Sequence, residues 1–157
     1  MRRRAEGEGE DSPPDPARLM EYAVRLLAEQ ARSEAEIERR LLRRGADEES
    51  AAAVVARLRA LGYLDDDALA RRWVESRGAQ RGRRALAFEL RRKGVDPNDA
   101  LAERTDDDER AAARAAAVRK VGERPADTSR EARAKLAAFL QRRGFGWDAI
   151  RPALNEL

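Results

Sequence analysis

The 157-residue sequence contains no cysteine and no histidine. Without cysteine there is no disulfide framework and no thiolate metal site. Without histidine there is no imidazole ligand, no imidazole general base, and no Ser-His or Cys-His nucleophilic pair. Aromatic residues make up only 4% of the chain, so a thick globular core is not expected. No window approaches the run of about 18 apolar residues that a membrane-spanning helix needs. Neither G-x-x-x-x-G-K-S/T nor G-x-G-x-x-G occurs, so the chain lacks a glycine-rich phosphate loop. Arg2-Arg3-Arg4 is followed by Ala5-Glu6-Gly7-Glu8-Gly9-Glu10 rather than by an apolar stretch, so a secretory signal is not read there. These absences predict a cytoplasmic protein with no cofactor, no metal and no catalytic activity.

What the chain has is charge on helix-forming residues. Charged residues make up 40%, the formal net charge is +3 and the isoelectric point is about 9.8. Ala, Leu, Arg and Glu dominate, and all four favour helix. A triplet of two cations and a glycine occurs three times: Arg43-Arg44-Gly45, Arg92-Lys93-Gly94 and Arg142-Arg143-Gly144. The glycines are 49 and 50 residues apart. Each triplet follows apolar residues at helical spacing: Ile37 and Leu41, Leu86 and Leu90, Leu136 and Leu140. The residue after each glycine is apolar (Ala46, Val95, Phe145), and so is the sixth (Ala51, Ala100, Ile150). A fixed period of this kind means one supersecondary unit used three times. It predicts an all-α, elongated array of three tandem three-helix repeats, with about nine helices. Residues 1–14 read as a disordered tail, and the repeats as 15–62, 63–104 and 105–157. One such repeat buries little by itself, so neighbouring repeats are expected to supply the remaining stability.

Local signals place the helices. Asp15-Pro16 caps the first, with Met20, Ala23, Val24 and Leu27 as its apolar stripe. Ser33-x-x-Glu36 is a capping box for the second. Asp47 caps the third, striped by Ala51, Val54, Val55, Leu58 and Leu61. Asp65 caps the fourth, with Leu69, Ala70, Trp73 and Val74. The fifth starts near Gly82, and Asp96-Pro97 opens a short sixth. Thr105-x-x-Asp108 opens the seventh and Thr128-x-x-Glu131 the eighth, with a loop at Gly122-Glu123-Arg124-Pro125. Trp147, Ile150, Leu154 and Leu157 give the ninth its buried side.

Gly45, Gly62, Gly94 and Gly144 read as helix stops, and the cations before Gly45, Gly94 and Gly144 suit the negative end of a helix dipole. Tyr63 and Leu64 are expected to fill a joint between repeats. Asp65, Asp66 and Asp67 suit a helix start better than a metal site, since no second acid cluster is fixed by spacing. Trp73 and Trp147 are expected in the core. End-capping does not explain the larger charge blocks. Residues 71–93 hold nine cations (Arg71, Arg72, Arg77, Arg81, Arg83, Arg84, Arg91, Arg92 and Lys93) against Glu75 and Glu89, a net +7. Residues 114–143, which include Arg142 and Arg143, are net +6, and residues 94–113 are net −5. Such blocks suit a polyanion, or a surface of alternating charge.

Three stretches then carry a family resemblance. They are Arg32-Ser33-x-x-Glu36-Ile37 with Leu41 and Gly45; Leu61-Gly62-Tyr63-Leu64-Asp65-Asp66 through Ala70, Arg77, Gly82, Leu86 and Glu89-Leu90-Arg91-x-Lys93-Gly94-Val95; and Lys135-Leu136, Phe139-Leu140, Arg142-Arg143-Gly144-Phe145 and Ile150. Together they make residues 17–157 resemble RecX, the bacterial regulator of the RecA recombinase. The sequence departs from that family at Leu69, where an aromatic is common, and at Ala46, where a bulkier residue is common. The resemblance implies a non-enzymatic protein in DNA repair, homologous recombination and the SOS response. It implies binding in the groove of a RecA–single-stranded DNA filament, blocked filament extension, and reduced strand exchange and ATP hydrolysis. The partners so implied are the RecA filament and the single strand within it; the absence of a long apolar run and of a heptad seam predicts no membrane contact and a monomeric chain. The residues assigned to filament binding are the nine cations of 71–93 together with Arg142 and Arg143. Read without the resemblance, the short helices and glycine turns also fit a tandem helix-turn-helix protein that binds duplex DNA directly.

Overall fold

The computed structural model describes residues 14–122 and 129–157. Most of the expected tail lies outside that range, as do Thr128 and the interior of the expected loop after Gly122. Among the described residues the chain forms nine helices and no strand. They are α1 (Pro16–Glu29), α2 (Glu34–Arg43), α3 (Glu48–Ala60), α4 (Asp66–Arg77), α5 (Arg83–Arg92), α6 (Asn98–Ala102), α7 (Asp106–Val121), α8 (Arg130–Arg142) and α9 (Trp147–Asn155). The fold is all-α and repeats a three-helix group three times, as the periodic triplets predict. The helices divide into two compact units, residues 1–64 and 65–157. The first holds α1–α3. The second holds α4–α6 and α7–α9.

Capping residues set the helix starts. Asp15 accepts from the Ala17 N–H, Asp47 from Ser50 and Asp65 from Ala68. Ser33 and Glu36 form a reciprocal capping box, and Thr105 and Asp108 form another. The eighth helix is capped by Ser129, one residue beyond the expected Thr128; its hydroxyl accepts from the Ala132 N–H. At the sixth helix Pro97 occupies the cap position, while Asp96 still accepts from the Asn98 N–H.

The helix stops repeat one geometry. Gly45, Gly62, Gly94 and Gly144 all have positive φ, from 76° to 101°, a region that costs a residue with a Cβ. After the triplets the apolar residue donates back over the turn: Ala46 to Leu41, Val95 to Leu90 and Phe145 to Leu140. The preceding glycines donate to Leu42, Arg91 and Gln141. These are Schellman closures, in which a buried residue beyond the glycine packs against the helix just ended. Ala46, Val95 and Phe145 are all buried. Gly62 closes α3 with the same hydrogen bonds, Tyr63 donating to Leu58, but the residue after it is exposed.

The cores differ from the expected stripes in four places. In α1 the fully buried residues are Leu19, Ala23 and Leu26, while Met20, Val24 and Leu27 pack only at the edge. Leu61 is 47% exposed, because Leu58 and Leu64 already occupy the buried positions around that turn. Tyr63 is 56% exposed, so of the pair expected to fill a joint only Leu64 is buried. Trp147 is 51% exposed. It opens α9, where no preceding helical turn covers it, and Phe145 fills the core position beside that turn.

Candidate functional site

The cations of residues 71–93 sit on α4, on the turn after it, and on α5. The fold sorts them into three groups. The first surrounds Trp73, which is half-buried. The Arg77 guanidinium and the Lys93 ammonium lie 4.4 and 4.7 Å from the indole ring. The indole N–H donates to Glu89 at 2.8 Å, and Arg77 and Arg81 pair with the same carboxylate at 3.6 and 3.5 Å. Trp73 is therefore held by polar and cation–π contacts as well as by apolar packing.

The second group ties the second three-helix group to the third. Arg83 donates to Asp106 at 2.6 Å and to the Arg104 carbonyl, and its backbone N–H donates to Glu109 at 2.9 Å. Arg104 is the centre of this joint. It pairs with Glu109 at 2.6 Å, with both side chains only 8% exposed. It also donates to the Gly78 carbonyl at 2.8 Å. The sequence reading missed this buried pair, although Arg104 stands out as one of two arginines in the acidic run 94–113. The Arg83 hydrogen bond also holds the Asp106 carboxyl below its ordinary value of 3.8. The side-chain and backbone bonds with Thr105 do the same for Asp108.

The joint has a backbone half. The Gly82 and Arg84 N–H groups, at the start of α5, donate to the Arg143 and Gly144 carbonyls at the end of α8, at 2.8 and 3.1 Å. Gly82 offers no side-chain cap. The open N–H groups of one helix are thus satisfied by the open carbonyls of another, and their dipole ends attract. The backbones approach so closely that a Cβ on Gly82 would collide with the Gly144 carbonyl, and one on Gly144 with Ala85. Gly144 is thus both a helix stop and a contact surface.

The third group remains available to a ligand. Arg84, Arg91 and Arg92 on α5 and Arg72 on α4 are exposed. None of the four forms an ion pair among the described residues. Arg72 donates to the Ala68 carbonyl, and Arg92 lies 5.9 Å from the Phe88 ring. Phe88 is 61% exposed and was not singled out in the sequence. Its position four residues from both Arg84 and Arg92, off the Leu86–Leu90 stripe, was a readable signal. Arg71 pairs with Glu103 at 3.1 Å and borders a groove of about 670 Å³ between α4, α6 and α7. That groove is lined by Arg104 and Asp108 as well, so its charges are mixed. Arg142 is exposed on α8, and Arg143 lies 5.2 Å from the Phe139 ring.

Asp65 acts as the cap of α4, with Asp66 and Asp67 in its first turn. No group of three or more acids that could hold a metal occurs among the described residues. No helix among them is long and apolar enough to cross a membrane.

Comparison with known proteins gives a consistent result. Sequence models of the first, second and third three-helix domains of RecX match residues 20–58, 65–102 and 107–154. A "Regulatory protein RecX" of Mycobacterium sp. (strain KMS) is 42% identical over 135 residues, covering 79% of this chain and 73% of that protein. One from Chlorobaculum tepidum is 35% identical over 139 residues, covering 87% and 86%. The crystal structure of RecX from Lactobacillus salivarius shares the fold, with a TM-score of 0.78 at 22% identity, covering 90% of this chain and 96% of that one.

Proposed function

The chain belongs to the RecX family of regulatory proteins, and from that premise we propose that it is a negative regulator of RecA. In this reading it binds as a monomer in the groove of the RecA–single-stranded DNA filament. It blocks filament extension there and lowers strand exchange and ATP hydrolysis. It acts as a ligand and performs no catalytic step. More than one three-helix group can attach to the same extended target, so binding strength comes from several weak contacts acting together.

The observation that carries the reading is the sorting of the basic block. Arg77, Arg81 and Arg83 are engaged by acids of the chain itself. Arg72, Arg84, Arg91 and Arg92 are left facing outward. A surface of one sign on a nearly balanced chain suits a ligand dense in phosphates or carboxylates, and a nucleoprotein filament offers both.

A side-by-side capture experiment tests the proposal. Immobilised protein is presented with RecA assembled on single-stranded DNA, with RecA alone, and with a naked duplex. Preferential retention of the filament, with slower strand exchange in solution, is the expected result. Tight sequence-specific binding to the duplex with no effect on strand exchange would instead favour a tandem helix-turn-helix reader.

A further inference from the structure

One face of α5 carries Arg84, Phe88, Arg91 and Arg92. Their spacing of four, seven and eight residues from Arg84 puts them on a single stripe of the helix. All four are exposed. A lone exposed phenyl ring is ordinary. Here the ring shares its stripe with three arginines, and the Arg92 guanidinium lies 5.9 Å from its centroid. The acid of this helix, Glu89, is held away from the stripe by Trp73, Arg77 and Arg81. The opposite side of the helix is anchored by Leu86 and Leu90, which are fully buried, so the exposed side chains stand on a rigid base.

We infer that this face binds single-stranded nucleic acid directly, one base stacking on Phe88 while neighbouring phosphates meet Arg84 and Arg91. The inference rests on the proposed function for the source of the strand and adds the residues that touch it. Stacking on an aromatic ring and cations along the backbone are the two elements of strand binding without sequence preference. Arg84 and Arg91 lie about 10 Å apart along the helix axis, with the ring between them. A carboxylate surface would use the guanidiniums and leave the phenyl face idle. A duplex keeps its base faces stacked within the helix, whereas a single strand offers them.

The test uses the full chain and a short fluorescent oligothymidylate, with anisotropy read over a range of salt concentrations. Phe88→Ala should weaken binding by roughly 5- to 150-fold, with an unchanged salt slope. That loss should vanish on an abasic oligonucleotide and be restored by Phe88→Tyr. Replacing Arg84 and Arg91 together with glutamine should flatten the salt slope by about 1.4, from about 0.7 per lost phosphate contact. Native affinity in Phe88→Ala, or an equal loss on the abasic strand, would overturn the inference. RecA ATP hydrolysis measured on the same variants separates the two readings. If Phe88→Ala keeps the strand but no longer slows RecA, the ring meets protein; this inference falls and the proposed function stands. If binding depends on Phe88 while the native chain leaves RecA unaffected, the inference stands and the regulatory reading falls.

Discussion

In residues 14–64 the three helices meet through large aliphatic side chains. Leu19, Leu26, Ile37, Leu41, Val54, Val55, Leu58 and Leu64 share one apolar cluster. In residues 65–157 the materials change. The α4–α6 group has a small cluster of Leu69, Ala70, Leu90, Val95 and Ala100. The α7–α9 group lines much of its interior with alanines on α7, at 112, 113, 116 and 117. What these groups lack in apolar volume is offset at their joint. There a buried Arg104–Glu109 pair, the Arg83 hydrogen bonds and the backbone contact between Gly82 and Gly144 connect them. A fully buried leucine contributes about 1.5–3 kcal/mol wherever it sits. A buried ion pair stabilises only while its hydrogen bonds are complete. The first unit should therefore tolerate small losses gradually, and the second should fail when one joint residue changes.

Arg104→Met should have the largest effect. It leaves Glu109 buried without its cation, at a cost of about 3–5 kcal/mol. Chemical denaturation should show this loss, and adding Glu109→Leu should recover much of it. No recovery in the double variant would mean that the pair is not the source of the cost.

Gly144→Val comes next. The side chain would meet Ala85 and would hold an unfavourable positive φ. Overpacking and the backbone penalty together suggest about 3 kcal/mol. Amide exchange should accelerate first at the start of α5 and the end of α8. Uniform acceleration over all nine helices would show that the joint is not a local weak point. Gly94→Val carries the backbone penalty at a helix stop and should cost at least roughly 1 kcal/mol, read as a lower melting temperature.

Acid sharpens the comparison least but touches both units. The hydrogen bond from Arg59 holds the Glu34 carboxyl below its ordinary 4.5 in the first unit, and Arg83 lowers Asp106 from 3.8 in the second. A depressed carboxylate pKa means that the unfolded chain binds the proton more readily. The stabilisation is complete above the ordinary values and is lost as pH falls through the depressed ones. Melting temperature should thus hold steady down to about pH 5 and decline below pH 4. Glu34→Gln and Asp106→Asn should each flatten that decline.

Much of this fold could be read from short-range patterns. A capping box needs four residues, and a Schellman closure needs little more than a helical stripe, a glycine and an apolar residue. That is why Ser33, Thr105, Gly45, Gly94 and Gly144 were placed correctly. The Arg104–Glu109 pair was not legible in the same way. Its members are close in sequence, but the groups that complete it, the Gly78 carbonyl and the Arg83 N–H, are brought to them from the end of α4 and the start of α5. Trp147 and Tyr63 show a second limit. Apolar spacing identifies a face, but it does not reveal that Phe145 or Leu64 has already filled the space. The charge of 71–93 marked a basic block. It could not separate arginines that brace the protein from those facing outward, because that distinction depends on where Glu89, Asp106 and Glu109 end up.

The central claim is that the chain regulates a RecA filament through the outward cations of α5. It is tested most directly by titrating the native protein and the triple variant Arg84→Gln/Arg91→Gln/Arg92→Gln into RecA already assembled on single-stranded DNA, following ATP hydrolysis. The account predicts that native protein slows hydrolysis at near-stoichiometric amounts, and that the equally folded triple variant requires much higher concentrations. Equal inhibition by both proteins, or no inhibition by the native chain, would contradict it.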